Sequence, residues 1–183
     1  TTYTANAIED KAYTAKFIKL YTVSVNFPAE GISTVTYDRP QSQTFTFEVK
    51  AGEGFSLTAS PNAPDYAFDK WVFTGTAEHS ELTNPILNVS KVTSNLTVNP
   101  TAERVYKAEA QIVTRYGTTV GGTVKINNQT SPVYVKAGEV ASFAATVSPT
   151  FVFDGWYKDA EGTERVSENL VYAPIMNPEE ITL

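Results

Sequence analysis

From Leu20 to Phe27 apolar and polar positions alternate, with Tyr21, Val23, Val25 and Phe27 on one side and Thr22, Ser24 and Asn26 on the other. A period of two is the mark of a strand with one buried face, and Pro28-Ala29-Glu30-Gly31 breaks it. The same reasoning predicts strands at Val35 to Tyr37 and, after a polar loop around Arg39-Pro40-Gln41, at Phe45-Phe47-Val49. Further strands are expected at Phe55-Leu57-Ala59 up to Pro61, across the aromatic segment Tyr66 to Phe73, and near Ile86 to Val89 and Leu96 to Val98. Asp159-Ala160-Glu161-Gly162 is followed by no apolar stripe of helical period and reads as a turn.

The order of elements then repeats. Val49-Lys50-Ala51-Gly52-Glu53 followed by Phe68-Asp69-Lys70-Trp71 returns as Val135-Lys136-Ala137-Gly138-Glu139 followed by Phe153-Asp154-Gly155-Trp156. Duplication at a fixed offset is the signature of an array, in which any functional residue can be checked for its second copy. Strands of the second copy are expected at Ala110 to Val113, Val124 to Ile126, Val133 to Val135, Phe143 to Ala145 and Phe151 to Tyr157. Glu53 and Glu139 stand 86 residues apart, Pro61 and Pro149 88, and Trp71 and Trp156 85. These offsets imply two extra residues in or at the end of one strand of the second copy, an insertion that preserves side-chain parity, and a shortened Asn62-Ala63-Pro64-Asp65 loop.

The domains expected are residues 18–104 for the first module and 105–183 for the second, the last strand of the second, near Ile181 to Leu183, being cut short. Residues 1–17, with Tyr3-Thr4-Ala5 and Tyr13-Thr14-Ala15-Lys16-Phe17, read as the closing hairpin of a preceding repeat. Because a lone hairpin is marginal in water, it is expected to pair with a sheet edge, within the chain or between chains. The chain reads as a piece of something longer.

Composition narrows the function. A net charge of -6 with no basic run disfavours nucleic acid and anionic membranes as partners. With no cysteine there are no disulfides, thiolate nucleophiles or Cys-based metal sites, and no apolar run approaches the ~20 residues of a membrane span. No catalytic constellation is evident, so no catalytic, cofactor or metal residue is expected.

In an uninterrupted strand Phe153 and Trp156 point to opposite faces, three positions being an odd number. Burying both requires a bulge or twist between them. Phe47, Leu57, Phe68, Trp71, Val133, Phe143, Phe153 and Trp156 are the expected core. Against that stands a binding reading, in which Trp71, Trp156 and Tyr157 are candidate ligand-stacking residues. Asp69 and Asp154 are expected to accept backbone N–H groups at a turn. His79 aligns with Glu164, occurs in one copy only, and reads as a solvated loop residue. The recurring Lys50/Lys136, Glu53/Glu139 and Asn84/Asn169 admit a Lys–Asn isopeptide bond, although lysine and glutamate beside a glycine turn are ordinarily solvated.

Phe153-Asp154-Gly155-Trp156-Tyr157, preceded by Lys136-Ala137-Gly138-Glu139 and followed by a paired-strand tail, resembles the divergent internalin-B-type (InlB B-repeat-like) repeat of bacterial surface proteins. Tyr21-Thr22-Val23, Thr58-Ala59-Ser60-Pro61 and Phe68-Asp69-Lys70-Trp71 fit the same pattern in the first copy, with Lys70 where glycine is usual. The opening of the second module, placed at Ala108 to Val113, lacks the Tyr-x-Val form. The resemblance implies an exported, non-catalytic, cell-surface module, in some cases β-grasp-like, with no catalytic residues to carry over. The expectation is therefore a mainly β chain of two tandem small antiparallel β modules, β-grasp-like or a small β-sandwich, plus an N-terminal orphan hairpin. Its expected role is that of a spacer, stalk or interaction segment of a bacterial cell-surface or secreted protein. The alternative is a carbohydrate-binding or adhesin module using exposed aromatics. Expected partners are the neighbouring repeats and a host or cell-surface protein or glycan, with no nucleic acid, no membrane insertion and no cofactor.

Overall fold

The computed structural model describes residues 12–114 and 121–176, among which there are strands and no helix. The first module comprises β1 (Leu20–Val25), β2 (Ile32–Thr36), β3 (Pro40–Gln41), β4 (Phe45–Lys50), β5 (Phe55–Pro61), β6 (Tyr66–Thr74), β7 (Ala77–His79) and β8 (Ile86–Val92). A long strand, β9 (Leu96–Ala108), leads into the second module. That module comprises β10 (Gly122–Ile126), β11 (Val133–Lys136), β12 (Phe143–Val147), β13 (Trp156–Tyr157), β14 (Arg165–Ser167) and β15 (Val171–Tyr172).

Two sheets build the first module. In one, β4, β1 and β9 lie side by side with β6 on the far edge of β9; in the other the order is β3-β2-β5-β8-β7. Their inward residues meet in one core, Val23, Val25, Val49, Trp71, Leu96 and Val98 from the first sheet against Val35, Leu57, Ala59, Leu87 and Val89 from the second. The pairs are antiparallel with one exception: β1 runs parallel to the start of β9, Val23 beside Leu96 and Val25 beside Val98. Parallel neighbours need a long crossover, and here the crossover is the rest of the module.

The second module repeats the register. Leu57 faces Leu87 and Phe143 faces Tyr172, while Ala59 faces Val35 and Ala145 faces Val124. Pro61 faces Ile32 and Val147 faces Gly122, so the two strands keep one offset to their ends. The expected two-residue insertion is therefore absent from the strand. Pro149 is a loop residue, and Val147 occupies the place of Pro61. Leu57 and Phe143 nevertheless keep equivalent faces. The hairpin from β10 turns at Asn127 and Asn128, with φ of 49° and 62°. Two consecutive residues of this kind make the turn that matches strand twist, and asparagine tolerates it.

Other expectations shift. Ala110 to Val113 form no strand; the module opens instead on Val105 to Ala108, the end of β9, which pairs with β11 as β1 pairs with β4. Tyr106-Lys107-Ala108 thus stands where Tyr21-Thr22-Val23 stands in the first copy. Of the expected closing hairpin, residues 1–11 lie outside the described residues, and residues 12–17 form no strand. Ile181 to Leu183 also lie outside the described residues.

Candidate functional site

Lys-Ala-Gly-Glu is a tight turn made twice. The Glu53 amide donates to the Lys50 carbonyl (3.0 Å) and that of Glu139 to Lys136 (3.1 Å). Gly52 and Gly138 take φ of +86° and +80°, a conformation the third residue of such a turn requires and a side chain resists. Each turn is tied to two other segments. Ala51 donates to the Lys19 carbonyl and Ala137 to Arg104, while Gly52 donates to Val92 and Gly138 to Met176. In the second copy the carbonyl that receives Ala137, that of Arg104, belongs to the strand closing the first module. The turn of one repeat therefore grips the end of the one before it.

Side chains reinforce that join. Lys136 Nζ lies 2.7 Å from Glu103 and 3.8 Å from Asp69, both in the first module. The Glu103 carboxylate holds the Lys136 ammonium protonated above its ordinary range, against a smaller opposing effect of burial. Lys50, its counterpart, reaches only Glu53 beside it (3.5 Å). The expectation of two ordinary solvated lysines thus fails for Lys136. The recurring lysines have carboxylate partners, and the Asn84 side chain accepts the Ile86 amide (2.8 Å).

Phe-Asp-x-Trp is a bulge in the first copy. Phe68 faces Ala102 and Trp71 faces Pro100, three steps on β6 against two on β9, which returns both rings to one face. Their centroids lie 5.5 Å apart. Thr101 fastens the bulge: its hydroxyl donates to Asp69 Oδ2 (3.1 Å) and lies 2.9 Å from the Lys70 carbonyl, and its oxygen accepts the Lys70 amide. Asp69 is therefore held by a side-chain hydroxyl and not by backbone N–H groups. Asp154 likewise takes the Tyr157 hydroxyl (2.5 Å) and the Arg165 guanidinium (3.2 Å).

The tryptophans share one set of contacts. Trp71 Nε1 donates to the Asn84 carbonyl at 2.9 Å and Trp156 Nε1 to Asn169 at 3.0 Å. Phe153 lies 5.6 Å from Trp156, as Phe68 does from Trp71. Trp71 is 1% exposed and offers no ring face to a ligand, which corrects its place among the stacking candidates. Trp156 and Tyr157 are half-buried and line a cleft of about 1190 Å³ in the second module, together with Phe143, Phe151 and Phe153. Of the expected core, Leu57, Trp71 and Val133 are buried, while Phe47, Phe68, Phe143, Phe153 and Trp156 are half-buried.

His79 closes the short strand β7, its ring 5.0 Å from Phe73. It belongs to a strand and not to a loop. In the second copy the pair at these positions is Lys158 and Glu164, 3.0 Å apart. Asp159-Ala160-Glu161-Gly162 is a turn, with Asp159 accepting the Thr163 and Glu164 amides (2.8 and 2.7 Å). These hydrogen bonds, the Thr163 amide first, hold its carboxyl below the usual aspartate range. Among the described residues no group of three or more acidic or histidine side chains could hold a metal ion.

The turn, the Trp–Asn contact and the pairing of β12 with β15 form one repeat unit in the second copy. Residues 112–182 match the family model of the divergent InlB B-repeat domain. Residues 112–182 are thus InlB B-repeat-like; the InlB B-repeat family is typical of bacterial surface proteins and generally non-catalytic. No curated protein and no solved structure matches the chain. The first module is similar to this InlB B-repeat-like unit through the shared turn, ring and register contacts. Glu103 and Thr101, together with the contact of Lys136 across the join, are what sequence reasoning missed, and only the facing of β9 against its neighbours could have found them.

Proposed function

We propose that the chain is a non-catalytic spacer and interaction segment of a bacterial surface or secreted protein, working outside the cell. The observation that carries this reading is the join between modules: β9 is the closing strand of one repeat and the opening strand of the next, with no linker between them. Repeats so joined contact their neighbours and transmit position along an array. The two ends of each module are then held at a fixed distance, which is what a stalk requires.

The chain has no cysteine, so spin labels can be placed cleanly by Ser56→Cys and Thr146→Cys, one exposed site in each module. Pulsed dipolar spectroscopy is expected to give one narrow distance distribution. A broad distribution spanning the range of a flexible tether would overturn the spacer reading.

The half-buried Trp156 and Tyr157 on the cleft favour one second reading, glycan or protein binding by stacking. In a Trp71→Phe background, Trp156 emission titrated with a glycan panel tests it. A saturable shift supports binding, and an unresponsive tryptophan excludes it.

A further inference from the structure

Strand β4 is paired on one side only, by β1. The Ala51 amide donates to the Lys19 carbonyl, in continuation of that register, so Phe45, Phe47 and Val49 turn their backbone groups toward β1. The backbone N–H and C=O groups of Thr46 and Glu48 therefore point outward, and among the described residues nothing bonds them. The same alternation sends the Thr22 amide away from β4, to the Asn95 side chain. An unpaired edge of this kind is a template for another strand.

At the start of that edge, beside Val25, lies a pocket of about 300 Å³ lined by residues of both sheets. The Tyr37 ring, from the tip of the β2–β3 hairpin, stacks on Phe47 at 4.0 Å, and Phe45 lies 6.1 Å from Phe47. All three rings are half-buried, and Thr46 completes the wall on the β4 side. The second module has no such stack. By register the counterparts of Tyr37, Phe45 and Phe47 are Ile126, Ser131 and Val133, and four residues (127–130) stand where the first module has seven (38–44). Ile126 and Val133 are simply buried in the core. The repeat folds without the pocket, so the fold does not account for it. Charge marks the same edge. Asp38 and Arg39 adjoin and offset each other, and Lys50 is paired with Glu53. Glu48 is exposed and has no ion-pair partner among the described residues.

We propose that an extended peptide segment of a partner protein adds as an antiparallel strand to the outer edge of β4 in the first module. Added strands gain affinity from main-chain hydrogen bonds and specificity from alternate side chains. Residues of the segment opposite Phe45 and Phe47 share their inward face, so a large apolar side chain there enters the pocket between the sheets. The next residue, opposite Glu48, faces outward and is basic, which supplies the opposite charge across the pair. The recognised pattern is an aromatic or other large apolar residue beside a lysine or arginine. A peptide suits the site better than a sugar, because Thr46 and Glu48 present donor and acceptor together at the two-residue spacing of a strand.

The proposal goes beyond the spacer reading, which rests on the join between modules and stands if no peptide binds; it also concerns a different module from the Trp156 cleft. The test is an NMR titration of the full 183-residue chain with the capped peptide Thr-Lys-Phe-Thr-Phe-Thr. In the proposed register its lysine falls opposite Glu48 and its phenylalanines opposite Phe47 and Phe45. Saturable shifts are expected at Tyr37, Phe45 and Phe47, with slowed exchange of the Thr46 and Glu48 amides. N-methylation of the peptide's lysine, whose amide points at β4, is expected to abolish binding, whereas N-methylation of the phenylalanine after it, whose amide points away, leaves binding intact. Glu48→Lys is expected to weaken binding about fivefold and to favour instead the peptide carrying glutamate in place of lysine, a reversal that damage to the fold cannot produce. No saturation at millimolar peptide, shifts confined to other residues, equal effects of the two N-methylations, or no reversal by Glu48→Lys would each overturn the proposal. So would saturation of the pocket by N-acetylglucosamine or galactose without any response to the peptide.

Discussion

Glycine at two turns shows how one residue type fixes a motif. An added Cβ at Gly52 or Gly138 meets no atom within 4 Å, so space is not the constraint. The constraint is the positive φ, which costs an L side chain about 1–2 kcal/mol. Gly52→Ala is therefore expected to lower stability by about that amount, read from urea unfolding, while an unchanged midpoint would mean that the turn relaxes into another form. Asp159 gives a pH-dependent effect at the same scale. Its folded pKa lies below the ordinary 3.8, so the carboxylate stabilises the turn fully above that value and the contribution is lost as pH falls through the lowered one. Acid titration followed at the Thr163 and Glu164 amides is expected to show that step, and Asp159→Asn to abolish it.

At the scale of elements, the bulge in β6 is the clearest case of structure legible in sequence. Parity alone required a break between Phe68 and Trp71, and Phe68 to Trp71 spans one residue more than Ala102 to Pro100. Thr101→Val keeps the shape and removes the hydroxyl that ties Asp69 to Lys70. The expected loss is about 1–2 kcal/mol, measured through Trp71 fluorescence in a Trp156→Phe chain, and a neutral result would show that the bulge needs no fastening. The short strands with strict alternation, β1, β4 and β5, were equally legible. The length of β9 was not, for a physical reason. Leu96, Val98 and Pro100 face the first core, whereas Val105 and Ala108 are buried in or beside the second, and exposed Glu103 and Arg104 lie between. Tyr106 and Ala108, which belong to the second core, keep the parity of Leu96 and Val98, but the charged pair Glu103-Arg104 interrupts the alternation, so a period-two reading ends the strand early. Pro149 misled in another way, because proline marks loops in general and recurs without being equivalent to Pro61.

For the whole molecule, the shared strand turns two small cores into one continuous object. Lys136 supports the join with two carboxylates of the preceding module. Being part exposed, that network contributes at most about 1 kcal/mol, so the backbone pairing of β9 carries most of the connection. Sequence repetition announced two modules; that they meet without a linker depends on the partners of residues 97–108, which no local pattern records. Hydrogen exchange of the β9 amides tests this account most directly. Residues 103–106, where pairing passes from β6 to β11, are expected to be protected to the same degree as residues 97–100 inside the first module. Complete exchange at 103–106 within seconds, with 97–100 still protected, would contradict it and leave two modules on a flexible tether.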